Sequence, residues 1–213
     1  LFGLQQSFGA EFDSLILPSV EERSRINRME KWLNDEKVRS TFSDATANAF
    51  INFRKTGDAL MPSLAVWVAS LSEQEKKALF GDNPHSPQVV SRRRSAIMQR
   101  PELVQSLPPL RIAFNDFVNT LRSEVKTQMM IRGQNPDDAT VVAEVRRRLQ
   151  EMGVGSEVDF LDYLLVNAYH QQQQHQQLLS QLQQQQQQMM ASAPRMPSLG
   201  GCLLYTSPSP RDS

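Results

Sequence analysis

Apolar residues recur at intervals of three and four positions along most of this chain, and this spacing places them on one face of a helix. A clear example is the run of Ile26, Met29 and Leu33, with mostly polar residues between them. No segment alternates with a period of two for long enough to be a convincing strand, and residues 15–17 are the only short candidate. The pattern therefore predicts an all-α fold class, with a compact domain of about seven or eight helices over residues 19–169.

Helix boundaries are also visible in the sequence, because capping residues and glycines stand between the apolar stripes. Two capping boxes, each a serine followed three residues later by glutamate, predict helices that start at Ser19 and Ser72. Gly57 is expected to end one helix, and Pro62 to stand in the first turn of the next. The other predicted helices begin near Ser43, Ser86, Glu102, Leu110, Asn135 and Ser156.

Two features subdivide the predicted domain. The turn cluster at residues 82–87, Asp-Asn-Pro-His-Ser-Pro, is the densest in the chain and predicts a hinge. Residues 135–169 predict a helical hairpin, because one helix ends near Gly153 and another begins at Ser156 after a tight turn.

The last helix has no stop signal and runs into a glutamine-rich arm, residues 170–190, in which thirteen of the eighteen residues 171–188 are glutamine. Such a composition is typical of a disordered polar tract, yet glutamine is a good helix former, so a partner-dependent helix is the second interpretation. A heptad frame gives a weak coiled-coil signal that Gln171, His175 and Gln185 interrupt. The predicted partner-helix seam consists of Leu161, Leu164, Ala168, Leu178, Leu182 and Met189.

We expect that neither end of the chain is a natural end. Residues 202–213, which follow a linker at 191–201, resemble a translation of the adapter used in transposase-based sequencing, and we exclude them from the fold. The chain begins at Leu1 without a methionine, so we expect 1–18 to be an incomplete segment and leave open whether a targeting peptide precedes it. Cys202 is the only cysteine, which favours an intracellular protein, in the cytoplasm or the nucleus.

Charge is balanced over the whole chain, with 23 basic and 23 acidic residues, so no overall field attracts nucleic acid. The segment 84–132 differs, because it carries eight Lys and Arg against three Asp and Glu, a net charge of +5 between acidic flanks. The predicted polyanion contacts are Arg92, Arg93, Arg94, Arg100, Arg111, Arg122, Lys126 and Arg132. A solvated face that pairs with the acidic flanks is the competing interpretation, since no aromatic residues alternate with these arginines as in a stacking platform.

Metal, cofactor and catalytic sites have little support in the sequence. His170 and His175 are five residues apart, which does not place them on one helical face, and His85 stands alone in the turn cluster. The Gly153-Val-Gly155 stretch lacks the glycine spacing and the lysine of a phosphate loop. We therefore predict no enzyme, no metal ligands and no cofactor.

The longest apolar stretch, residues 64–71, is far shorter than the ~20 residues that span a bilayer, so we predict no membrane partner.

The favoured function is that of an interaction or scaffold protein, which acts through helix–helix contacts of the glutamine-rich arm with a protein partner or with itself. The alternative is a nucleic-acid-associated protein that uses the basic segment 84–132. An enzyme is the third choice, because no carboxylate or nucleophile pair with contrasting surroundings is visible.

Overall fold

A computed structural model describes residues 19–192, and within this range the chain consists of helices joined by short turns, with no strand. The predicted all-α fold class is confirmed. Predictions about 1–18, including the strand candidate at 15–17, and about 193–213 lie outside the described residues. The helices are α1 (Ser19–Asn34), α2 (Glu36–Arg39), α3 (Asp44–Ala69), α4 (Glu73–Phe80), α5 (Pro87–Gln99), α6 (Pro101–Val104), α7 (Leu107–Ile131), α8 (Asp138–Met152) and α9 (Glu157–Ser192).

Local capping accounts for several of these boundaries. At the start of α4, Ser72 Oγ accepts a hydrogen bond from the Glu75 amide, while the Glu75 carboxylate accepts one from the Ser72 amide, which completes the predicted capping box. The start of α8 differs from the prediction by two residues. Asp137, rather than Asn135, is the N-cap, and its carboxylate accepts a hydrogen bond from the Thr140 amide at 2.8 Å.

In the central helix α3, glycine and proline residues in the sequence predict helix boundaries that the structure does not have. The sequence predicts a break at Gly57 and a new helix at Pro62, but α3 continues through both residues. Pro62 removes one backbone hydrogen bond, which costs ~3 kcal/mol in a helix interior. Packing of α3 along the length of α7 offsets this cost.

Aromatic side chains form the contact between α3 and α7. The ring of Phe50 lies 5.4 Å from that of Phe117, and the ring of Phe53 lies 5.7 Å from that of Phe114, so the two helices run antiparallel. Phe53 also contacts Phe160 of α9, with ring centroids 4.3 Å apart. These rings belong to one continuous apolar core to which α1, α3, α7, α8 and α9 all contribute.

Two glycines permit close packing in this core. A Cβ atom on Gly57 would lie 2.5 Å from Cζ of Phe160, so the ring of Phe160 occupies the space that a side chain on α3 would need. Gly153 ends α8 with a φ of +79°, and a Cβ atom there would lie 2.4 Å from the backbone oxygen of Arg25. Glycine at this position therefore allows the end of α8 to touch the backbone of α1.

The chain divides into two units after Tyr169. The turn at 82–87 lies within the first unit and joins α4 to α5, which pack against each other. None of the helices within residues 19–192 combines the length and the apolar character that crossing a bilayer requires.

Candidate functional site

The second unit begins at His170, and its described part is the C-terminal portion of α9. Residues 171–192 contain no Asp, Glu, Lys or Arg, and His175 is the only histidine among them. Most of its side chains are exposed. The large apolar side chains exposed here are Leu178, Leu179, Leu182, Met189 and Met190, and we call these five residues the arm stripe.

The predicted partner-helix seam does not exist as one continuous surface. Leu161, Leu164 and Ala168 are at most 4% exposed and belong to the apolar core of the first unit, so the prediction that they contact a partner is wrong. Leu161 and Leu164 lie on the early turns of α9, which other helices of the first unit cover. The seam residues that remain exposed are Leu178, Leu182 and Met189.

Arg93 is likewise unavailable to a polyanion, contrary to the prediction from the basic segment. Its guanidinium donates two hydrogen bonds to Asp162, from Nε to Oδ1 at 2.7 Å and from Nη2 to Oδ2 at 3.2 Å. A third hydrogen bond runs from Nη1 to the backbone oxygen of Leu79 at 3.1 Å, and Cζ lies 5.8 Å from the centroid of the Phe80 ring. Both charged side chains are 1% exposed, so this ion pair belongs to the core.

Most of the other predicted polyanion contacts are engaged with carboxylates outside the basic segment. Arg94 forms an ion pair with Asp159. Such pairing between the basic segment and its acidic flanks is the competing interpretation given by the sequence. The remaining pairs are Arg100 with Glu75 at 3.4 Å, Arg111 with Glu157 at 2.7 Å, Arg122 with Asp138 at 3.1 Å and Lys126 with Asp138 at 4.0 Å. Arg92 and Arg132 are the two members of the set that are exposed and have no ion pair within residues 19–192.

The spacing of apolar residues around Arg93 indicates a buried pair that a count of charges does not show. Val89, Val90, Ala96 and Ile97 form the buried face of α5, and Arg93 occupies the position between them at helical spacing. A charged residue in the middle of an apolar stripe is almost never fully buried without a partner. The position of Arg93 thus predicts a buried acid, although it does not reveal which one.

A second network joins α3, α7 and α8 around a buried carboxylate. Glu124 accepts a hydrogen bond from the backbone amide of Ser43, at the start of α3, and forms an ion pair with Arg148 at 3.5 Å. Glu144 accepts hydrogen bonds from Arg147 at 2.9 Å and from Arg148 at 3.1 Å. These two guanidinium groups, Arg147 foremost, lower the pKa of Glu144 from 4.5 to about 2, against an opposing effect of burial.

Beside this network lies an open groove of about 510 Å³ between the ends of α1, α7 and α8. Its apolar side includes Trp32 and Phe42, whose ring centroids are 5.3 Å apart. Three cations that form no ion pair within the described residues line it: Lys31, Lys37 and Arg132. Arg132 thus lines the same groove as two cations outside the predicted basic segment, and two carboxylates, Asp35 and Glu151, line it as well. The cations of the groove outnumber its carboxylates, which favours an anionic group over a cationic one.

The comparisons with known proteins find no relative. No protein-family model, no curated protein and no solved structure matches this chain. Within residues 19–192, no group of three His, Cys, Asp or Glu side chains is placed to hold a metal ion. The surfaces described above are therefore the basis for a functional assignment.

Proposed function

We propose that this chain is a non-enzymatic interaction or scaffold protein and that the glutamine-rich arm is its binding surface. The observation that carries the proposal is the arm stripe, because five large apolar side chains are exposed on a portion of α9, residues 171–192, that contains no Asp, Glu, Lys or Arg. Exposed apolar surface of this kind marks protein contacts in soluble proteins. The helical first unit holds the first turns of α9, so that the helix enters the arm already formed.

The partner in this proposal is another apolar helix face, either of a second copy or of another protein. Helices that pack through Leu and Met bury their apolar stripes together, and each fully buried Leu or Met contributes roughly 1.5–3 kcal/mol. The arm stripe is short and glutamines flank it, so we expect association in the micromolar range. We propose that this activity lies inside the cell, since residues 1–201 contain no cysteine that could form a disulfide.

The experiment is light scattering coupled to size-exclusion chromatography, on the full chain over a hundredfold range of concentration. We expect the mass to rise with concentration for the native chain and to stay at the monomer value for Leu178→Gln with Leu182→Gln. The matched control is Gln177→Ala with Gln184→Ala, which leaves the stripe intact and should associate normally. A native chain that stays monomeric would contradict self-association through the arm. A control as impaired as the leucine variant would contradict the arm stripe as the contact surface.

Polyanion binding is a second candidate, and the groove beside Arg132 favours it over the segment 84–132. Lys31, Lys37 and Arg132 all line this groove, and none of them forms an ion pair in the described part of the chain. Replacing all three with glutamine should reduce the slope of log affinity for duplex DNA against log salt by up to about three phosphate contacts. Arg111→Gln is the control, because Arg111 already pairs with Glu157. An equal change in slope for both variants would argue against the groove.

A further inference from the structure

The arm stripe is wider than the predicted seam. At about 100° per residue, Leu178, Met189 and Leu182 fall within about 40° of one another, as expected for a heptad seam. Leu179 and Met190 extend the stripe on one side to a total width of about 120°. Both residues are exposed, at 47% and 71%, and neither belongs to the a and d positions from which the seam was predicted.

The width of this stripe bears on the number of helices that cover it. A strict a and d seam is the narrow contact of a two-stranded coiled coil, whereas a stripe wider than about 100° faces the core of a bundle. One partner helix packed on the seam would leave Leu179 and Met190 in contact with water. Two neighbouring helices, one on each side of the stripe, would cover all five apolar side chains.

Charge and hydrogen bonding indicate that these neighbours are further copies of the same arm. Residues 171–192 contain no Asp, Glu, Lys or Arg that would select a partner of opposite charge, so like arms meet without repulsion between such side chains. Glutamine both donates and accepts hydrogen bonds, so the amides that flank one stripe can pair with those of an identical helix. We infer that the arms assemble as a bundle of three or four copies. This inference rests on the proposed function of the arm and goes beyond it.

Sedimentation velocity and light scattering on the full chain test the inference. We expect the native chain to form trimers or tetramers at high concentration. Replacing Leu179 and Met190 with glutamine narrows the stripe to the seam, so this variant should form dimers at most. The variant Gln177→Ala with Gln184→Ala, on the opposite face of the helix, should keep the native stoichiometry. Circular dichroism should give the same helical content for all three proteins.

The possible results separate this inference from the function on which it rests. A native chain that stops at the dimer would overturn the bundle and leave the arm as an interaction surface. A monomer at every concentration would overturn the bundle together with self-association through the arm. Trimers or tetramers that persist after the change of Leu179 and Met190 would overturn the inference, as would large and heterogeneous particles that neither variant alters, which are typical of polar-tract aggregation.

Discussion

Arg93 on α5 and Asp162 on α9 form a two-pronged ion pair, with N–O distances of 2.7 and 3.2 Å, in the interior of the first unit. The same guanidinium also binds the backbone oxygen of Leu79, in α4, at 3.1 Å. One side chain thus connects three helices, through partners that lie 14 and 69 residues from it along the chain. Among the residues that the structure describes, Arg93 is the only arginine of the basic segment that is fully buried.

Removing one member of this pair should be costly. We expect Arg93→Met to lower the free energy of unfolding by about 3–5 kcal/mol, because Asp162 would remain buried without its partner. Urea unfolding followed by circular dichroism measures this change. The double variant Arg93→Met with Asp162→Leu should lose less, since it leaves no isolated buried charge.

The adjacent residue is the control for that experiment. Arg92 is exposed and has no ion pair within residues 19–192, so Arg92→Met should change the free energy of unfolding by no more than about 0.5 kcal/mol. Equal effects of the changes at Arg92 and Arg93 would show that the buried pair does not stabilise the fold.

Gly57→Ala is expected to destabilise the protein although alanine is the better helix former. The gain in helix propensity is about 1 kcal/mol, whereas crowding against a packed ring costs typically about 1–3 kcal/mol. The new Cβ atom would lie 2.5 Å from Cζ of Phe160. Thermal and urea unfolding of Gly57→Ala in the native and Phe160→Leu backgrounds measures the coupling. Additive effects of the two changes would contradict this account.

The ionised Glu144 carboxylate should stabilise the folded protein, and this contribution should be lost at acid pH. Its pKa in the folded protein is about 2, against an ordinary value of 4.5, because Arg147 and Arg148 bind its ionised form. The contribution is therefore complete above pH 4.5 and is lost as the pH falls towards about 2. We expect Glu144→Gln to lower the free energy of unfolding by on the order of 1 kcal/mol at neutral pH. The expected loss is small because solvent screens the exposed guanidinium of Arg147.

The measurement for Glu144 is the free energy of unfolding of both proteins between pH 7 and pH 2. The difference between the native chain and Glu144→Gln should be constant down to about pH 5 and then shrink. A difference that stays the same at pH 2 would mean that the ionised carboxylate does not provide the stabilisation.

Glu124→Gln should destabilise the protein more than the same change at Glu151. Glu124 is buried and connects Arg148 to the amide of Ser43, so losing its charge should cost about 1.5–3 kcal/mol. Glu151 is a matched control because it pairs with Arg147 on the exposed surface, where such pairs contribute about 0.2–1 kcal/mol. Urea unfolding of both variants tests the ranking, and equal losses would refute it.

Helix starts and the fold class were predictable from the chain alone because capping acts over three or four residues. The capping box at Ser72 and the helix end at Gly153 need only their immediate neighbours in sequence. Neighbouring residues mislead for α3, where Gly57 predicts the end of one helix and Pro62 the start of another. Contacts with α7 and α9, which are distant from α3 in the sequence, stabilise one long helix there.

The surfaces of the candidate site were decided by tertiary structure, because composition does not show which face of a helix is covered. Leu161 and Leu178 lie on one helix and in the same predicted heptad frame, yet the first is in the core and the second is exposed. Arg92 and Arg93 are neighbours in a basic run, yet one faces solvent and the other is buried beside Asp162. In each case the environment comes from residues distant in sequence, and it determines whether a side chain stabilises the fold or remains available to a partner.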